Sequence, residues 1–447
     1  MRRREKAEGR RQKEAMQNAE CRMQKRGAIV RSWLLISAFC LLPSAFVTTS
    51  CAERSDARAI VTFWGLGREG EVVADLIPEF ERRNPGIHVV VQQIPFIAAH
   101  EKFLTAIVGR STPDVAQVGN TWVPEMAAIH ALDELTPMLR TIDQRDYFPG
   151  IWATNVIDGG LYGIPWYVDT RLIFYRKDIL GTPPRTWDEW KSAMQRVISE
   201  RKARYGVLMP TNEYEPMVAI AQSNHSHFLN ADGTRGAFED PAYAQAFDFY
   251  VECFRRGWAP KVSNLQVANV YQQFAQADFV MYITGPWQVG EFKRRLPAGM
   301  QDKWETAPLP ARDASEPMGV GMAGGSSLIV FRESKHKEAA AKFIAFLSEV
   351  PQQIRFNELS GDLPARRSAW NAPALANDSH FAAFRVQLEH VEPLPKVPEW
   401  EQIATGIFQH GEEGVRGAKT QAQVLAALDA DANRLLEKRR WVVAHGQ

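Results

Sequence analysis

Residues 58–129 constrain the fold more than any other stretch of the chain. A strand-like run, Arg-Ala-Ile-Val-Thr-Phe-Trp at 58–64, leads into a glycine-rich turn at 65–70. Val72, Val73, Leu76, Ile77 and Phe80 then recur at helical spacing, with Glu79, Glu81, Arg82 and Arg83 on the opposite face. Asn84-Pro85-Gly86 stops that helix. Residues 87–94 read as a second strand, 98–108 as a helix, 114–118 as a short buried strand and 121–129 as another helix. Strands that alternate with helices in this way build parallel βαβ units, so the expected fold class is α/β, with helices on both faces of a mostly parallel sheet. Ligands of such sheets bind beyond the carboxyl ends of the strands. That singles out residues 64–69, 92–96 and 119–122, and within them Trp64, Glu69, Gln93 and Asn120.

A second stretch, residues 161–178, carries the most suggestive chemistry. Trp166, Tyr167 and Asp169 bring two aromatic faces and a carboxylate together. Flat apolar faces suit the C–H surface of a sugar, and a carboxylate accepts from its hydroxyls. Residues 172–175 follow as a buried strand. A chain of 447 residues is too long for one core. The chain is therefore read as passing between two lobes at this stretch. Downstream, Thr186 and Glu189 form a capping box at a helix start. Strands are expected at 205–209, 279–283 and 327–331, and helices at 241–256, 337–348 and 421–440. The connecting loops hold Glu213, Tyr214 and Glu215, then Thr284-Gly285-Pro286-Trp287, a glycine-rich run at 318–327, and Asp362.

A formal net charge of +1 gives no electrostatic case for nucleic acid or an anionic membrane surface. Near the N-terminus, Lys25, Arg26 and Arg31 precede a broken apolar run at 33–47, followed by Thr48, Thr49 and Ser50. This is the layout of a secretory leader, too short for a membrane span. The leader is read as residues 1–51, with Met23 as its start. Ser50-Cys51-Ala52 fits plain cleavage, and Cys51 fits lipid attachment; the second reading is preferred, although Thr48 is an imperfect lipobox residue. Both place the mature chain in the periplasm or another extracytoplasmic space. Cys253 is then the one cysteine of the body, which excludes an internal disulfide and a cysteine-based zinc site.

Gly65-Leu66-Gly67-Arg68-Glu69-Gly70 matches G-x-G-x-x-G between a strand and a helix. A dinucleotide site also needs a carboxylate at the end of the second strand, where this chain has Gln92 and Gln93. The motif is therefore read as a tight turn whose Glu69 faces a ligand. His225 and His227 form an isolated pair in a polar loop, and no metal or cofactor is expected. A glycosidase needs two carboxylates flanking a bond. Glu69, Asp169, Glu213, Glu215 and Asp362 leave that alternative open.

Several segments together resemble the extracellular solute-binding proteins of carbohydrate ABC importers, the maltose-binding-protein-like family. They are residues 60–65; Glu79-Phe80-Glu81 with Asn84-Pro85-Gly86-Ile87; Pro113-Asp114-Val115; Leu161-Tyr162-Gly163-Ile164-Pro165 with Tyr175-Arg176-Lys177-Asp178; Pro184-Arg185-Thr186-Trp187-Asp188-Glu189; Thr284-Gly285-Pro286-Trp287; and Gly324-Gly325-Ser326-Ser327. The resemblance implies a two-lobe, hinged, type II periplasmic-binding-protein fold with three interlobe crossings, near residues 167–171, Pro308 and Glu349. The first lobe would be 57–168 plus 308–348, and the second 169–307 plus 349–447. It implies sugar contacts at Glu69, Asn120, Tyr167, Asp169, Trp287, Gly325 and Ser326. Trp64, Gln93 and Asp362 join them as strand-end and loop candidates. It further implies a monomer without catalytic activity that hands its ligand to membrane permease subunits. The alternatives are a secreted carbohydrate-active enzyme, a signalling receptor, and a binding protein for a phosphorylated polyol, the last because Arg68, Arg171, Arg366 and Arg367 are candidates to line a cleft.

Overall fold

The computed structural model describes residues 58–445. The expected leader and Cys51 lie outside the described residues. Two sheets organise the rest. The first has six strands in the spatial order Leu363–Pro364, Ile164–Asp169, Gly324–Val330, Val115–Gly119, Ala59–Leu66 and Ile87–Ile94. The second has four, in the order Trp304–Ala307, Leu172–Arg176, Phe279–Thr284 and Tyr205–Leu208.

The expectation of mostly parallel sheets is corrected, because both sheets are mixed. Ala59–Leu66 pairs in parallel with both of its neighbours, as the βαβ reading requires. The other three pairings of that sheet are antiparallel. In the second sheet only Tyr205–Leu208 and Phe279–Thr284 run parallel. A parallel pair needs a crossover that returns over the same sheet. Gly324–Val330 instead enters its sheet directly after the chain has left the other one, so it is free of that constraint.

The strands form where burial favours them. Val61 and Phe63 are fully buried, while Ile60 before them faces solvent and Thr62 between them is partly exposed, the alternation of a half-covered strand. Phe63 meets Trp166 edge-on at 6.0 Å, and Trp166 stacks on Phe356 at 4.1 Å. On the second sheet Phe174 stacks on Trp304 at 5.9 Å. Trp166, Trp190, Trp304, Trp370 and Trp400 are all core residues, so much of the chain's complement of 13 tryptophans serves packing.

Three details differ from expectation. The first strand runs on to Leu66, and a helix begins at Gly67, so most of the expected turn is regular structure. There, a Cβ on Gly65 would lie 2.4 Å from the Cα of Gly70. The glycines allow a strand and a helix to touch, which accounts for the motif without a nucleotide. Helices Val350–Ser360 and Trp400–Arg416 were not anticipated. The first of these packs Phe356 on Trp166, and Leu363–Pro364 then pairs with Ile164–Asp169. Residues 350–364 therefore belong with the six-stranded sheet, and a boundary at Glu349 is too early. The chain reaches the four-stranded sheet only with Ser379–Gln387, where His380 stacks on Trp304 at 3.8 Å. The first passage is much tighter: Thr170 and Arg171 alone separate a strand of one sheet from a strand of the other.

Candidate functional site

A cleft of about 520 Å³ lies where the two lobes meet. It takes in Glu69, Asn120, Tyr167, Asp169, Trp287, Gly325, Ser326 and Asp362 from the sequence-based candidates. Trp64 and Gln93 are not among its lining residues. Trp64 falls inside the longer first strand and packs against Phe103 at 5.6 Å, with the Lys102 ammonium 4.8 Å from its ring. Gln93 is exposed and donates to the carbonyl of Gly67 at 2.6 Å. Strand alternation turns Trp64 toward the helix Phe96–Val108, and Gln93 closes a turn.

The first-lobe wall is a hydrogen-bonded layer. The Tyr167 hydroxyl receives the Ser326 hydroxyl at 2.9 Å and the Gln117 amide at 3.3 Å. Asn120 donates to the carbonyl of Gly324 at 3.1 Å and accepts from the Ser327 hydroxyl at 2.8 Å. Asn120 and Ser326 thus pin the strand Gly324–Val330 in place. Gly325 has φ +115°, and a Cβ there would lie 2.3 Å from the Tyr167 carbonyl oxygen. Only glycine lets that backbone line the cleft.

Glu69, Tyr167 and Asp362 line this wall as near neighbours. Burial raises the pKa of both, and the charge of Glu69 raises Asp362 further. Neighbouring buried carboxyls resist ionising together, burial being the first cause of both shifts.

The second group centres on the crossing. Arg171 donates to Asp169 Oδ2 at 2.6 Å and to Glu215 Oε1 at 3.0 Å. Its guanidinium lies 4.7 Å from the ring centre of Trp287. Burial pushes the pKa of Asp169 up, against the pull of Arg171. Its second oxygen, Oδ1, is buried with no partner. Trp287 remains 42% exposed and offers its indole face to the cleft. A Cβ on Gly285 would lie 2.0 Å from the indole, so glycine there gives the ring its place.

Sequence reasoning left out Phe96, Thr121, Trp122, Tyr214 and Glu401 as contacts, and raised Arg171 and Glu215 only under the phosphorylated-ligand and glycosidase alternatives. Phe96 and Trp122 pair at 5.8 Å on the first-lobe rim. Both lie in strand-end windows and could have been chosen. Glu401 could not: it sits in an unanticipated helix and receives the Thr121 hydroxyl at 2.5 Å across the cleft. No cluster of metal-binding side chains occurs among the described residues.

Two lobes with a polar and aromatic cleft between them are the architecture of a ligand-capturing binding protein. The chain belongs to the bacterial extracellular solute-binding protein family, whose model matches residues 64–354. It is similar to the sugar-binding protein MalE from the phytopathogen Xanthomonas citri, at 45% identity and a TM-score of 0.83, covering 87% of this chain and 100% of that one. It is 25% identical over 421 residues to a putative binding protein of Brucella abortus, covering 92% of this chain and 100% of the relative. A maltotriose-binding protein of Pyrococcus abyssi is 24% identical, covering 80% and 78% of the two chains.

Proposed function

We propose that this protein captures a neutral sugar or oligosaccharide in the cleft and delivers it to the permease subunits of an ABC importer. The observation that carries the reading is the pairing of Asp169 Oδ1, a buried acceptor without a partner, with the exposed indole of Trp287 in the same cleft. A sugar offers both a hydroxyl donor and a C–H face, and supplies the two missing contacts at once. The names of the similar proteins, sugar-binding and maltotriose-binding, support the same class.

The phosphorylated alternative loses its cations. Arg68 donates to the Leu359 carbonyl, Arg366 pairs with Asp146 and Arg367 with Glu389. Arg171 is paired with both Asp169 and Glu215, which offset its charge. What remains facing the ligand is acidic, and an anionic ligand meets like charge there.

In this reading the contacts are Glu69, Tyr167, Asp169, Trp287, Asp362 and the backbone at Gly325, with Asn120 and Ser326 holding the wall behind them. The first lobe comprises the six-stranded sheet with residues 350–364, and the second the four-stranded sheet with the C-terminal helices. The mature protein acts as an extracytoplasmic monomer, tethered through a lipid on Cys51. A thermal-shift screen of neutral mono- and oligosaccharides beside sugar phosphates tests the ligand class, since a ligand well above its dissociation constant raises the melting temperature. A rise with neutral sugars alone is expected. A rise with sugar phosphates alone would overturn the reading.

A further inference from the structure

We propose that Arg171 is a positioning residue that fixes the Trp287 indole and ties it to the interlobe crossing; this rests on the sugar-binding reading above. The crossing has only two residues, Thr170 and Arg171. The Arg171 side chain is buried, yet it does not offer its charge to the ligand. It spends both ends of its fork on carboxylates from different elements, Asp169 at the end of a first-lobe strand and Glu215 at the start of the second-lobe helix Glu215–Gln222. The central carbon of the same guanidinium lies over the Trp287 ring, 4.7 Å from its centre.

Trp287 needs such a holder. It opens the helix Trp287–Arg295, and no side chain caps that helix end. Gly285 leaves the ring room where any larger residue would collide with it. Space alone does not choose an orientation, whereas a planar cation held by two carboxylates does. An ammonium cannot reproduce this, because it has no plane to stack and no fork to bridge.

The arrangement also joins the aromatic platform to closure. Asp169 is carried by one lobe, while Glu215 and Trp287 are carried by the other. A rotation about residues 170–171 moves Asp169 relative to the other two, so Arg171 holds all three together only over a narrow range of hinge angle. A ligand that needs the indole in this plane therefore favours that hinge angle, and differential contact of this kind is what shifts a closure equilibrium.

A double-mutant cycle in the full mature protein tests the idea, with affinity read by calorimetry for a neutral sugar that the native protein binds. Arg171→Gln and Arg171→Lys are each expected to weaken binding by about tenfold. In a Trp287→Ala background the same changes are expected to cost less than about twofold, because Arg171 acts through the ring. Losses that multiply in full would overturn the proposal. If the native protein binds no sugar, the functional reading fails by itself. Arg171 is then judged by iodide quenching of the emission lost in Trp287→Phe. Easier quenching in Arg171→Lys supports the positioning role, and unchanged quenching contradicts it.

Discussion

At the scale of single residues, Trp287 and Gly285 make the sharpest predictions. Trp287→Ala should weaken sugar affinity at least about tenfold, some 1.4 kcal/mol, in calorimetry. Gly285→Ala should produce a comparable loss with little change in melting temperature, because its Cβ would meet the indole at 2.0 Å at the cleft edge. The carboxyl pair adds a pH signature. A raised folded-state pKa means that the folded protein holds the Asp362 proton more tightly than the unfolded chain does. The stability this contributes is present at low pH and is lost as pH rises from the ordinary aspartate range through the raised value. Asp362→Asn should therefore gain melting temperature relative to the native protein between about pH 5 and about pH 8. A constant difference across that range would show that Asp362 does not hold its proton more tightly in the folded protein. That Trp287 and Asp169 would line the cleft was legible in the sequence, because an aromatic or a carboxylate at or just past a strand end has few structural duties. Trp64 was misleading because the strand runs two residues further than its composition suggests. Asn120 and Ser326 reach the cleft, but their polar atoms hold the wall, a division of labour that only the hydrogen bonds reveal.

At the scale of elements, the alternation of residues 58–129 led to the right strands and to their parallel pairings. It said nothing about the strands that return from the other lobe, because their partners depend on where the chain crosses rather than on local pattern. The helix Val350–Ser360 is a case in point. Phe356 is its one fully buried apolar side chain, packed against both Trp166 and Tyr167. Phe356→Ala should cost about 3–5 kcal/mol in denaturant unfolding, as for other large-to-small core changes. It should also loosen the Tyr167 wall. The helix Trp400–Arg416 brings Glu401 to Thr121, 280 positions away in sequence. No sequence spacing signals a contact of that range. Glu401→Ala should favour an open cleft, seen as a larger radius of gyration in small-angle scattering of the unliganded protein.

At the scale of the whole molecule, the two sheets and their crossings turn local chemistry into capture. The acidic, aromatic cleft lies where lobe rotation changes its shape, so a ligand that completes its contacts also selects the closed form. The family resemblance anticipated the two-lobe plan. It placed the last passage too early because residues 350–364 complete the first sheet before the chain leaves it. The central claim is that a neutral sugar is held between Asp169 and Trp287. Calorimetric titration of the mature protein with neutral oligosaccharides, repeated on Trp287→Ala, tests it most directly. The account predicts saturable binding of one sugar per chain, without turnover, that weakens at least about tenfold in the variant. Equal affinity in the two proteins, or no binding of any neutral sugar, would contradict it.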